Sequence, residues 1–245
     1  MYRRTVDKEV LEFGVSGVLR FSNLVMYDRK TQSWWQEFTG EAIVGDLTGK
    51  KMERLAQSLV SWNEFKSTYP NGRVLSRNTG YDRPYGENPY TLYDTSQPFL
   101  YSGPDDRRLP AMERVVAVEI GEDSLAIPFS ELGKNPVVHV SVGDKELVVF
   151  YRKGTASALD TSSIASGRDV GAAGVFDSNL DGRKLTFKRD GDHIVDQETW
   201  SRWNLLGQAE YGPMIGKSLS PISHLNPFWF AWAAYKPNTE IYRSR

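Results

Sequence analysis

The chain contains no cysteine in 245 residues. That single absence excludes disulfides, thiolate nucleophiles, iron–sulfur clusters and cysteine-ligated zinc together, although it does not identify a compartment. Long apolar runs are also missing. The most apolar stretch, Pro227 to Tyr235, is far shorter than the ~18 residues a spanning helix needs, so no membrane span is expected. Charge of one sign is missing too: 30 basic and 31 acidic residues leave a net charge of −1, with no sizeable block of either sign. A nucleic-acid binder would show a basic patch or stripe, so no nucleic-acid partner is expected. Histidine is scarce. His139, His193 and His224 lack the close spacing of a metal site. No Gly-x-Ser-x-Gly elbow occurs, and Gly167-Arg168-Asp169-Val170-Gly171 lacks the Gly-Lys-Ser/Thr ending of a phosphate loop. Neither a cofactor nor a metal is predicted.

What the chain does have is an ordinary globular composition, 40% hydrophobic and 25% charged, and a length that permits a core without disulfides or metal. It also has an internal repeat. Gly40–Asn71 laid on Gly207–Asn238 at a constant offset of 167 matches at eight of 32 positions: Gly40/Gly207, Ala42/Ala209, Gly45/Gly212, Gly49/Gly216, Lys50/Lys217, Trp62/Trp229, Pro70/Pro237 and Asn71/Asn238. Ordinary composition gives roughly two by chance. One single-residue gap extends the match to Asp28-x-x-Thr31-x-Ser33-x-Trp35 on Asp196-x-x-Thr199-x-Ser201-x-Trp203, and a further shift aligns Asp7, Leu11 and Phe13 with Asp181, Leu185 and Phe187.

The expected organisation is one globular body over 1–245. It comprises a first copy at 6–75, a tyrosine-rich loop at 76–113, a strand-rich lead-in at 114–179 and a second copy at 180–242. Short apolar segments bounded by turn formers predict strands at Val10–Phe13, Asn23–Tyr27 and Lys184–Phe187. Longer β-rich runs predict strands at Val115–Ile120, Pro136–Val142 and Glu146–Tyr151, with Gly143-Asp144 as a hairpin turn. Ser61–Tyr69 predicts a short helix stopped by Pro70. Arg73–Leu75 and Glu240–Tyr242 predict a closing strand in each copy. The fold class read from this pattern is α+β, mostly β, with pseudo-twofold character and short helices packed on antiparallel sheet. Tryptophans at repeated positions, Trp35/Trp203 and Trp62/Trp229, are expected in the core, and Trp34 and Trp200 at the surface.

Several strings resemble a bacterial and archaeal family called domain of unknown function 3179: Phe13–Gly17, Leu24–Arg29, Phe38–Gly45, Val74–Gly80, Gly154–Asp160 and Phe228–Ala234. The resemblance covers nearly the whole chain and implies no activity, because the family has none assigned. It also implies an upstream segment with Cys-x-x-Cys, the counterpart of Pro136–Phe176, which this chain lacks. A misplaced gene start, a fragment and a genuine loss all remain open. The chain is expected in the cytoplasm if Met1 is the true start, and outside it if an upstream signal peptide is missing. An uncovered sheet edge at the N-terminus would invite strand pairing or a dimer.

Two candidate sites follow. Asp28 and Asp196, as equivalent positions, would form a carboxylate pair if the copies met at an axis; alternatively each caps its own turn through neighbouring Thr and Ser. The 77–93 loop carries Arg77, Tyr81, Asp82, Arg83, Tyr85 and Tyr90. Tyrosine offers an apolar face with a hydroxyl, and arginine grips carboxylates and phosphates; such a loop suits a small polar ligand, or else packs its tyrosines over the sheet. The leading expectation is a non-catalytic binding or scaffold protein using this loop. The alternative is a hydrolase or metal-assisted enzyme with its site between the copies.

Overall fold

The computed structural model describes residues 1–99 and 101–244; Leu100, within the 76–113 segment, lies outside the described residues. The chain opens with a hairpin of β1 (Thr5–Val6) and β2 (Glu9–Val10), then an antiparallel meander of β3 (Phe13–Arg20), β4 (Asn23–Asp28), β5 (Trp34–Gln36) and β6 (Glu41–Val44). Helix α1 (Trp62–Thr68) follows, with the Ser61 side chain accepting from the Glu64 amide as N-cap. A long irregular segment leads to a second hairpin, β7 (Val115–Ile120) and β8 (Asp123–Pro128). One turn of helix, α2 (Phe129–Leu132), precedes the strands β9 (Val137–Val142), β10 (Lys145–Arg152) and β11 (Ala172–Asp177).

From there the opening pattern recurs. A hairpin of β12 (Asn179–Leu180) and β13 (Arg183–Lys184) is followed by a four-stranded meander, β14 (Phe187–Asp190), β15 (His193–Asp196), β16 (Arg202–Trp203) and β17 (Ala209–Tyr211). The chain closes with β18 (His224–Leu225), α3 (Trp229–Tyr235) and β19 (Glu240–Ile241). The protein is thus a mostly β, α+β fold of antiparallel sheets with short helices. Among the described residues one strand pairing departs from that rule: β19 lies parallel to β8.

Alternation along the strands sorts residues between layers. On β7 and β8, Val116, Val118, Leu125 and Ile127 face β9–β11, while Val115, Ala117 and Ala126 face Trp229, Trp232 and Ala233 of α3. On β10, Leu147, Val149 and Tyr151 face the β7–β8 sheet, while Val148 and Phe150 meet Phe187, Ile194 and Trp203 of the second meander. The unbroken apolar run Leu147–Tyr151 therefore reflects a strand covered on both faces. The stack runs second meander, β9–β11, β18-β7-β8-β19, α3.

The first meander keeps a smaller core of its own, built on Val6, Leu11, Trp35, Ala42 and Met52. It joins the stack through Phe38, whose ring stacks on Tyr235 at 4.7 Å, and through Glu119, which meets Lys51, Arg54 and Lys236. Tyr2 bridges Arg54 as Phe176 bridges Pro221, and the Tyr2 ring leaves no room for a Cβ on Gly40, just as the Phe176 ring leaves none for Gly207. Phe176 pairs on its other edge with Val148 of β10. No described strand takes that place beside Tyr2.

The closing strand expected at Arg73–Leu75 does not form: the segment is irregular and Leu75 is 98% exposed. A strand needs a neighbour to pair with. Glu240–Ile241 finds one in β8, whereas 73–75 runs alongside no sheet edge.

Candidate functional site

The two aspartates read as a pair are each the hub of their own unit. Asp28 is fully buried. Its carboxylate accepts from the amides of Lys30 (3.1 Å) and Thr31 (2.6 Å), the Thr31 hydroxyl (2.8 Å) and Trp35 Nε1 (3.0 Å). Asp196, equally buried, accepts from the amides of Thr199 (2.6 Å) and Ser201 (3.1 Å), the Thr199 hydroxyl (2.8 Å) and Trp203 Nε1 (2.9 Å). The shells correspond further out: Ser33 Oγ accepts from the Leu47 amide and Ser201 Oγ from the Met214 amide. Burial pushes the Asp28 carboxyl pKa up, but the amide, hydroxyl and indole donors outweigh it and hold the group below its ordinary value. The two carboxylates sit in separate sheets and share no hydrogen-bond partner.

The tyrosine-rich segment behaves differently. It is anchored over Gly86–Leu92 to the loop that joins β10 to β11. The Asn88 amide donates to the Ser162 carbonyl at 2.7 Å, the Leu92 amide to the Asp160 carbonyl at 2.6 Å and the Ile164 amide to the Gly86 carbonyl at 3.1 Å. Asp169 closes the neck of that second loop by accepting from the amides of Gly154, Thr155 and Gly171.

Beneath the joined loops the buried Asp94 gathers two arginines. Asp94 lies 3.2 Å from both Arg114 and Arg168. It accepts from Ser157 Oγ at 2.5 Å, and Ser157 accepts from Arg114 at 3.1 Å. The Arg114 guanidinium lies over the Phe228 ring at 4.7 Å. Burial lowers the Arg114 pKa, and Asp94 opposes that shift.

Together these elements wall a cleft of about 1350 Å³. Leu59, Val60, Trp62, Ala156 to Leu159 and Ile164 line it, together with Arg77, Tyr85, Glu87, Arg114, Phe129 and Asn226. The Asn226 Oδ1 and Asp94 Oδ1 atoms are buried without a partner among the described residues.

Of the loop residues singled out from sequence, Arg77 and Tyr85 line the cleft; Tyr81, Asp82, Arg83 and Tyr90 do not. Tyr81 and Tyr90 are solvent-exposed, and the Tyr85 hydroxyl bonds to Thr79 Oγ1. The Arg77 guanidinium makes no hydrogen bond or ion pair among the described residues. An added Cβ on Gly86 would lie 3.8 Å from an Arg77 nitrogen.

Sequence reasoning missed Trp62, which was expected in the core with its counterpart Trp229. Trp62 is instead 58% exposed on the cleft wall, while Trp229 is sealed. The cause lies outside the helices. α3 rests on the face of β7 and β8 turned away from β9–β11; around α1 it is the preceding Val60 that packs on the second core. Arg114, Asp94, Ser157 and Asn226 were also missed. Ser157 lay in a string that carried the family resemblance, and the other three carry no local signal.

Two of the three histidines, His139 and His224, sit against backbone groups, and His193 is exposed at the start of β15. His139 Nε2 accepts from the Phe187 amide at 3.0 Å, and burial lowers its pKa. His224 is buried, its Nδ1 2.9 Å from the Ile222 carbonyl oxygen, and burial lowers its pKa as well. Among the described residues no cluster of three or more His, Asp or Glu is placed to hold a metal, and no helix is long and apolar enough to cross a membrane.

Compared with known proteins, residues 1–239 match the family model described as a protein of unknown function, DUF3179. No curated protein and no solved structure matches the chain.

Proposed function

The chain belongs to the DUF3179 family, which brings no activity with it, and from that premise we propose that it is a non-catalytic binding protein whose site is the cleft beneath the 77–93 loop. The observation that carries this reading is how the loop is held. It is pinned over Gly86–Leu92 by backbone hydrogen bonds to the 153–171 loop, and on the cleft wall Trp62 stands 58% exposed beside Phe65, with the Arg77 guanidinium making no hydrogen bond or ion pair among the described residues. A loop that served only to pack itself would bury its aromatic and charged groups; this one leaves a concave, mostly apolar wall with a few polar groups on it, the usual form of a small-molecule site.

The enzymatic alternative has less to draw on. Asp28 and Asp196, which motivated it, are saturated by donors of their own units. A carboxylate that is already fully engaged is a poor base and a poor nucleophile. Crystals soaked with a small-fragment library test the binding reading. Occupied density is expected between Trp62 and Leu159; fragments that gather elsewhere and leave the cleft bare contradict it.

We also propose strand pairing at the outer edge of Tyr2. Its support is the equivalence of Tyr2 with Phe176, which pairs with β10 on that side, and the 70% exposure of Val15 on the same unit. Sedimentation that shows a monomer at all concentrations, with no added strand-forming peptide bound, rejects it.

A further inference from the structure

Three features of the cleft bear on what it takes. Its walls are apolar: Leu59, Val60, Trp62 and Ile164 offer aliphatic surface and an open indole. Its cations differ in commitment. Arg114 is engaged by Asp94 and Ser157, whereas Arg77 has no ion pair among the described residues. Its one unpaired lining anion is Glu87, whose backbone is fixed by a bridge to Ser163.

A partly exposed guanidinium on an apolar wall presents a planar fork that matches a carboxylate in a two-point contact. A doubly charged head group such as a phosphate monoester would call for a second free cation; Arg114 is already satisfied, and Glu87 would oppose the extra charge. A positively charged ligand would meet Arg77 head-on. The indole of Trp62 and the neighbouring aliphatic side chains suit a flat or branched hydrocarbon body.

Resting on the cleft as the binding site, we infer that its ligand is a small amphipathic monocarboxylate, with the carboxylate on Arg77 and the hydrocarbon body against Trp62. Arg77 sets the preference for charge; Trp62 contributes affinity regardless of charge.

Titration calorimetry with three probes that share one body, phenylpropionate, its methyl ester and phenethylamine, separates the possibilities. The wild-type chain is expected to bind the acid at least about tenfold more tightly than the ester, with the amine weakest. Arg77→Ala removes that preference and Arg77→Lys keeps part of it, while Trp62→Ala weakens acid and ester alike. If acid and ester bind equally and Trp62→Ala weakens both, the carboxylate inference is overturned and the cleft stands. If no probe binds, or Trp62→Ala changes nothing, both the inference and the cleft reading fall. Because Trp62 and Arg77 are exposed, the variants are expected to fold, and a thermal melt of each confirms it.

Discussion

Trp62 and Trp229 hold the same position in two matching units, each opening a helix of seven residues, and they end in opposite environments: Trp229 at 0% exposure against the β7–β8 sheet, Trp62 at 58% on the wall of a cleft. One position has been given to the core in one unit and left open in the other. In the first unit that side chain meets Phe65 in a tilted ring contact at 5.7 Å and is otherwise exposed beside a concave surface, an exposure that the proposed binding role would explain.

The two tryptophans should therefore respond differently to truncation. Trp229→Ala is expected to cost about 3–5 kcal/mol through lost burial and the cavity left behind. Trp62→Ala should cost under about 1 kcal/mol. Urea denaturation of the two variants reads the difference; equal losses would mean that Trp62 is structural after all.

The carboxylates of Asp28 and Asp196 should be stability determinants. Asp28→Asn turns one acceptor into a donor facing the Trp35 indole and the Thr31 hydroxyl, and should cost roughly 3 kcal/mol at pH 7. The Asp28 pKa is depressed on folding, so its contribution is fully present above the unfolded value of about 4 and is lost as pH falls through the lower folded value. Denaturation at pH 7 and pH 3 should show the gap between wild type and variant narrowing at the lower pH. A gap that stays constant would remove ionisation from the explanation.

The repeated glycines divide into two kinds. Gly212 has φ +93, and an added Cβ would stand 2.8 Å from the Ser201 backbone; Gly216 has φ +81 with open space around it. Gly216→Ala should cost about 1–2 kcal/mol, the left-handed penalty alone. Gly212→Ala must also displace backbone and should cost clearly more, ~3 kcal/mol or above. Their positions in the first unit, Gly49 and Gly45, should follow the same order. Melting temperatures of the four variants check the ranking.

Asp94 should hold the cleft together. Asp94→Ala leaves Arg114 buried beside Ser157 without its counter-charge, at a cost of about 3–5 kcal/mol. It also frees Arg168, so the 76–95 segment should become the first site of limited proteolysis. Cleavage at wild-type rate would show that the backbone bonds to 160–164 suffice alone.

Much of this fold was legible because its signals are local. The Asp-x-x-Thr-x-Ser-x-Trp string encodes a self-contained hydrogen-bond shell, and Gly45 and Gly212 mark backbone conformations that other residues resist. Leu147–Tyr151 showed itself as a strand through residue type alone. What could not be read depends on what lies opposite. Nothing within α1 says that no sheet runs beneath Trp62, and nothing in Arg73–Leu75 says that no edge is near. The cleft draws on residues 59–63, 77, 85–87, 114, 129, 154–159, 162–165, 170–172 and 226, which no local pattern joins. Of the loop candidates, Arg77 and Tyr85 reached the cleft and four did not, because composition marks a segment without telling which side of it faces inward.

Binding of a small ligand in the cleft beneath the 77–93 loop can be read from a thermal-shift screen of the wild-type chain against a library of small carboxylic acids, repeated with Trp62→Ala. Compounds are expected that raise the wild-type melting temperature and lose that effect in the variant. A library with no such compound, or stabilisation that survives intact in Trp62→Ala, would contradict it.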